Sequence, residues 1–398
     1  MMPLEVGLAL GLLAFAVVLS LQLRDGLHPA VALTWVWATF CLGDLLLPHG
    51  MYVISLGTSV LIVACVTAFA LTSLSMAPAV LPARGDWHDN WGRPLLFWIA
   101  LLGFPLFAMK AQQLAASADI TESVFVNLRI ALTGEDGDMQ TYGLLAYLVP
   151  VAFTSTLVEL AASRSRWFEP RGWLIFVVAI GYAILATGRT YLFLLMISSA
   201  SVALMQRRLR PGQAVLVGLF MVAAGFIGVG ALVNKIGVDV EGTTQQTVGD
   251  ALSLYVFSGV AAFDHFVAQP HGLDWGLNVL RTPLAVLQAL GIPVEVVPLV
   301  KEYVFVPEPT NVYTVFLPYV QDFGWPGAVV AFAFLGWMHT VLYRRARAGN
   351  PRFVVLYALS MYPLLMQFFQ DQYFSLLTTW VIFSALVWSA FAPAGETA

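Results

Sequence analysis

Apolar residues fill this chain in blocks about as long as a bilayer is thick, and polar residues gather in the intervals between them. A helix crossing hydrocarbon needs roughly 20 mainly apolar residues. By that measure spans are predicted over 4–23, 29–48, 52–74, 95–112, 142–162, 172–188, 190–206, 213–233, 326–343, 353–370 and 373–392. The pattern is that of an all-α polytopic membrane protein with about 11 transmembrane helices. The first block follows Glu5 with no basic stretch before it, so it reads as a retained helix rather than a cleaved leader.

Two intervals are long, 113–141 and 234–326. The first contains Asn127-Leu-Arg129 and an acidic turn, Gly134-Glu-Asp-Gly-Asp138. The second contains Ala251–Ala268 and Pro283–Val300, both apolar enough to resemble spans. Asp264-His265 interrupts one, and Pro293 and Pro298 break the other. Both are expected to be interfacial or re-entrant helices, because irregular backbone at membrane depth must lie against protein or a wet cavity.

Charge sets the orientation. Thirteen of the 19 Lys and Arg residues fall on the side of Arg24, mostly in short loops, and six on the other. Basic residues favour the cytoplasmic side. The two long intervals are therefore expected outside the cell, and the chain's last residues inside. Composition agrees: 59% of residues are hydrophobic and 11% charged, against about 25% charged in soluble domains. The net charge of -4 says little, because its distribution matters more than its sum, and no nucleic-acid partner is expected. Cys41 and Cys65 both fall in apolar runs, where a disulfide is not expected.

The candidate chemistry lies among the outer cations. Arg189 sits in Ala186-Thr-Gly-Arg-Thr-Tyr191, where one span ends and the next begins. It could snorkel to lipid phosphate, or present its planar fork to a diphosphate. Arg281 and Lys301 lie about twenty residues apart in the long interval. Each alone reads as a solvated charge. Cations on the translocated side run against the orientation bias, however, and an anionic ligand is one reason to keep them. Asp264, Glu302 and Asp322 are candidate bases, and His265 is a further candidate. Asp322 also reads as a cap for the helix expected near Pro326, Glu302 as a neighbour for Lys301, and His265 as a packing residue. The six histidines lack metal-ligand spacing, and Asp136 with Asp138 reads as a flexible turn, so no metal or cofactor is expected. With no nucleotide motif either, the energy for an outer reaction must come from an activated substrate.

The run Thr310-Asn311-Val-Tyr313-Thr314, Pro318-Tyr319, Asp322-Phe-Gly324 and Gly327, followed by a helix with Gly336 ending in Tyr343-Arg-Arg345, resembles the oligosaccharide repeat-unit polymerases (O-antigen polymerase, Wzy-type). Gly188-Arg189-Thr190, Tyr255 with Ser258-Gly259 and Phe263-Asp264, and Leu128-Arg129 fit the same family. The resemblance covers roughly 120–345. It implies a bacterial inner-membrane, GT-C-like, metal-independent and inverting glycosyltransferase. Such enzymes pass a growing glycan from undecaprenyl diphosphate to a new lipid-linked repeat unit. On this chain Arg129, Arg189, Arg281 and Lys301 would hold the donor diphosphate. One of Asp264, Glu302, Asp322 or His265 would act on the acceptor hydroxyl, and Tyr255, Asn311, Tyr313 and Tyr319 would meet sugars. Membrane lipid, a chain-length regulator and a flippase are the implied partners. The first outer turn, Pro48–Met51, departs from metal-dependent relatives in offering no acid. An O-antigen ligase, and from another class a lipid-linked oligosaccharide flippase or transporter, remain as alternatives.

Overall fold

The computed structural model describes residues 3–76, 87–118, 123–133, 140–163, 168–210, 212–213, 216, 218, 248–298 and 300–393. Every predicted run except 213–233, most of which lies outside the described residues, coincides with a helix. In chain order these are α1 (Pro3–Leu23), α2 (Pro29–Leu46), α3 (Leu56–Ser75), α4 (Gly92–Ala118), α5 (Val124–Thr133), α6 (Leu148–Ala162), α7 (Pro170–Leu185) and α8 (Arg189–Met205). After them come α9 (Val248–Val267), α10 (Arg281–Ala289), α11 (Leu317–Arg347), α12 (Pro351–Leu365) and α13 (Leu377–Ala390). Two-residue strands β2 (Val304–Phe305) and β3 (Pro309–Thr310) pair antiparallel, as do β1 (Trp87–Asp89) and β4 (Phe391–Pro393).

Among the described residues six helical stretches are long and apolar enough to cross a membrane: Leu4–Leu23, Pro29–Leu46, Leu56–Ser75, Gly92–Ala118, Gly143–Ala162 and Leu317–Arg347. Shorter apolar helices accompany them. The protein is an all-α, multi-pass membrane protein. Local chemistry starts several helices. Pro29 and Pro170 open α2 and α7, where a missing N–H costs nothing. Ser55 caps α3 by accepting from Thr58 N.

The chain forms two compact units. One comprises Met1–Val80, Gly249–Arg344 and Pro363–Trp380; the other Leu81–Val248, Arg345–Tyr362 and Val381–Ala398. In the first, α1, α2 and α3 pack together. Its buried centre is aromatic: Phe316 lies 5.0 Å from Trp37, 4.9 Å from Phe332 and 5.8 Å from Phe263, ring centre to ring centre. The apolar segments of the long interval divide differently. The first is the 20-residue helix α9, whereas the second is helical only over Arg281–Ala289. Beyond it, Pro293 and Pro298 keep the backbone irregular.

In the second unit α4 packs on α5, α6 and α7, and α8 on α6 and α7. Phe107 stacks on Tyr142 at 4.1 Å, while the Tyr182 hydroxyl donates to the Ala100 carbonyl at 2.9 Å. The buried Glu159 carboxylate accepts Arg93 Nε at 3.2 Å and Nη2 at 2.8 Å, and Arg171 Nε lies 3.2 Å from Oε1. Arg208 donates to the carbonyls of Leu160 and Ser163, closing the C-terminal end of α6.

α11 begins earlier than the run at 326–343 suggests. Its first two turns, from Leu317, end at Gly324, whose φ of 68° and ψ of -169° break the helix before it resumes at Trp325-Pro326. A side chain would strain that backbone, so glycine sits there. Asp322, expected to cap the resumed helix, instead turns to a segment 44 residues upstream. Its carboxylate accepts Asn278 N (3.1 Å), Asn278 Nδ2 (2.8 Å) and Val279 N (2.7 Å). The turn before α10 lacks its own capping side chain, and the buried carboxylate satisfies those N–H groups.

Candidate functional site

The segment Thr310–Thr314 is tied down along both edges. Ser258 Oγ donates to Thr310 Oγ1 at 3.3 Å, and Thr314 N donates to the Gly259 carbonyl at 3.1 Å. On the other edge Thr314 Oγ1 and Val315 N both donate to the Gln367 carbonyl, at 2.9 and 3.0 Å. Gly259 makes this fit possible, because a Cβ there would lie 2.9 Å from the carbonyl oxygens of both Phe368 and Phe369. The segment from Asn311 to Thr314 then lines a cavity of about 210 Å³ in the first unit.

Asn278, Arg281, Lys301, Asn311, Tyr313 and Asp371 line that cavity. Arg281 opens α10 and donates Nε to the Val297 carbonyl at 2.8 Å, which fixes the plane of its guanidinium. Lys301 Nζ donates to Asn278 Oδ1 at 2.7 Å. Asn278, held by Asp322 behind it, therefore couples a buried carboxylate to the ammonium. Burial holds Lys301 below the ordinary lysine range; Asp274 and Asp322 pull the other way, and Arg281 adds to the lowering. Two cations lining one cavity, together with a tyrosine ring and an amide, suit an anion flanked by polar rings.

The far wall comes from the connection between α12 and α13. α10 packs against the 3₁₀ turn Phe374–Leu376, and Asp371 precedes that turn. Asp371 is 5% exposed and accepts Tyr319 OH (2.9 Å), Tyr373 N (3.2 Å) and Ser375 N (2.8 Å). The Ser375 hydroxyl bonds to it as well, and burial raises its carboxyl above the usual range. Behind it, Tyr373 OH meets His339 Nε2 at 3.0 Å and receives Gln367 Nε2 at 3.4 Å; Trp37 Nε1 donates to Gln367 Oε1 at 2.9 Å.

The chain is similar to an O-antigen polymerase. The relative, from Shigella dysenteriae, is 26% identical over 243 residues, covering 60% of this chain and 59% of its own length. The match thus spans less than two thirds of that protein. It supports the family resemblance read from the sequence. No protein-family model matches the chain, and no solved structure matches it.

The structure brings together Arg281, Lys301, Asn311 and Tyr313 from the residues singled out in the sequence. Tyr319 is buried beneath them, one hydrogen bond away through Asp371. The three acids stand elsewhere. Asp322 backs Asn278. Asp264 Oδ1 accepts Ser55 N (3.2 Å), Ser55 Oγ (2.5 Å) and Thr58 Oγ1 (2.5 Å), so it anchors the start of α3. Glu302 is exposed, and its carbonyl lies 3.3 Å from Tyr313 OH. His265, also exposed, pairs with Gln269 at 2.8 Å. Tyr255 stacks on Phe369 at 4.4 Å.

Arg189 and Arg129 belong to the second unit. Arg189 is the first residue of α8, following Thr187 at φ 55° and Gly188 at the cap. Arg129 lies on α5. Asp136 and Asp138 fall outside the described residues. Asp371 and Asn278 are site residues that the sequence pattern passes over.

Proposed function

We propose that the protein is a membrane glycosyltransferase that polymerises undecaprenyl-diphosphate-linked repeat units into a surface polysaccharide. The carrying observation is that Arg281 and Lys301 reach one cavity, with Asn311 and Tyr313 beside them, in a membrane protein similar to an O-antigen polymerase. The two cations receive the diphosphate as it leaves the anomeric carbon. They stabilise charge that grows in the transition state, which is the form of binding that raises rate. Asn311 and Tyr313 meet the sugars. Arg189 and Arg129 enter this reading as diphosphate-binding residues on the strength of the sequence motifs.

Direct attack by the acceptor hydroxyl inverts the anomeric centre, and the Arg281 and Lys301 charges do the work a metal does elsewhere. The GT-C-like arrangement, about 11 spans, an inner-membrane location and a periplasmic site complete the reading. The distribution of Lys and Arg supports that orientation. A chain-length regulator and a flippase are the partners such a reaction calls for.

The test is to express Arg189→Ala, Arg281→Ala and Lys301→Ala in cells lacking the gene and to resolve their surface glycolipid. The expected result is single repeats on the surface lipid without long chains. Full ladders in all three variants overturn the reading. Polymer accumulating on undecaprenyl diphosphate identifies a ligase instead, and repeat units stranded in the cytoplasmic leaflet identify a flippase.

A further inference from the structure

Among the described residues that line the cavity, Asp371 alone carries a carboxylate. It shares the cavity with Arg281 and Lys301, yet neither cation is bonded to it; its donors are Tyr319, Tyr373 and Ser375. The two backbone donors and the buried tyrosine fix the plane of the carboxylate. The Ser375 hydroxyl is different, being a rotor on a residue that itself lines the cavity. An incoming hydroxyl can take its place at the carboxylate without disturbing the other three bonds.

We propose that Asp371 is the base that takes the proton of the attacking acceptor hydroxyl. This inference rests on the polymerase reading above and names the residue that reading leaves open. The acceptor oxygen bonds to the anomeric carbon of the donor glycan as the bond from that carbon to the diphosphate oxygen breaks. The bonding pair leaves with the diphosphate toward Arg281 and Lys301, and the hydroxyl proton passes to an Asp371 oxygen. Charge balances, because a carboxylate is neutralised as a phosphate oxygen becomes anionic. Burial suits the role: a carboxyl whose proton affinity is raised accepts a proton more readily than a solvated one.

The test uses the full chain in nanodiscs, with farnesyl diphosphate as binding probe and polymer formation from lipid-linked repeat units as activity. Asp371→Asn is expected to bind farnesyl diphosphate within about twofold of wild type while losing polymer formation roughly 100-fold or more. A folded Asp371→Asn with a wild-type ladder overturns the proposal. Arg281→Ala, Arg189→Ala and Lys301→Ala together separate the two ideas: wild-type probe binding and ladders in all three defeat the polymerase reading itself, whatever Asp371→Asn does.

Should Asp371→Asn fail to fold, Tyr319→Phe decides. It keeps the carboxylate and removes one donor to its charged form, so the acid limb of the activity profile moves to higher pH. The other titratable groups around the carboxyl are Tyr373, with His339 behind it, and Arg281, Lys301 and Tyr313 lining the cavity; none gains or loses a bond in this variant. An unmoved acid limb overturns the proposal.

Discussion

Lys301 Nζ and Asn278 Oδ1 are 2.7 Å apart, and the same amide donates Nδ2 to the buried Asp322 carboxylate at 2.8 Å. One side chain thus orients an ammonium at the cavity and satisfies a carboxylate in the interior. Asn278→Ala removes both bonds and the one its Nδ2 makes to Asp274 Oδ2 at 3.0 Å. Hydrogen bonds to charged groups contribute about 1.5–3 kcal/mol each, so the variant is expected to unfold several degrees below wild type and to make shorter chains. Thermal unfolding in detergent, followed by glycolipid gels, measures both.

Arg281 is expected to be hard to replace. Its Nε is committed to the Val297 carbonyl, so the remaining nitrogens form a fixed fork. Lysine restores charge without that geometry. Arg281→Lys should therefore retain only a fraction of chain synthesis, between Arg281→Ala and wild type, at equal expression. Equal activity of the Lys and wild-type proteins would show that charge alone suffices.

The lowered proton affinity of Lys301 predicts an alkaline loss. Binding of an anion needs the ammonium, which in the free protein gives up its proton at a lower pH than a solvated lysine. Affinity is full below that point and falls as pH rises through it. Lys301→Arg, charged throughout, should carry farnesyl diphosphate binding to higher pH. Titration of wild type and variant over the alkaline range compares the two.

Gly259→Ala is expected to separate the two edges of the Thr310–Thr314 segment. The added methyl would sit 2.9 Å from two carbonyl oxygens, neither of them on a flexible side chain. Overpacking of this kind costs about 1–3 kcal/mol. A lower unfolding temperature together with weaker farnesyl diphosphate binding is the expected result.

In the second unit, Glu159→Ala leaves Arg93 and Arg171 without the buried carboxylate between them. Breaking such a pair from one side costs about 3–5 kcal/mol for a well-buried partner. Arg171 is half-exposed and contributes less than Arg93. Reduced membrane yield and a lower unfolding temperature should follow, and Glu159→Gln should be milder.

The helices were legible because hydrocarbon demands long apolar runs, whatever the fold. Their ends were less so: the first turns of α11, from Leu317, mix buried apolar residues with Gln321 and Asp322, so hydropathy gives them no clear signal. Arg281 and Lys301 stood out as cations on the side that usually lacks them. Asp322 carried a local capping pattern, but its partners lie 44 residues away, a distance no short motif spans. Asp371 was passed over because Gln370-Asp-Gln372 reads as a solvated connection between two spans. A polar triplet on the same side as the long interval was the available clue. Only the folded chain shows that Tyr319, Tyr373 and Ser375 gather around it.

The ribbon carrying Asn311 and Tyr313 is stitched to α9 on one edge and to Gln367 on the other. A wall already locked in place surrenders little conformational freedom when a ligand arrives, so in the proposed reaction most of its contact energy remains available for discrimination. Changing which repeat unit is accepted should then require exchanging the side chains on that ribbon while leaving its stitches intact.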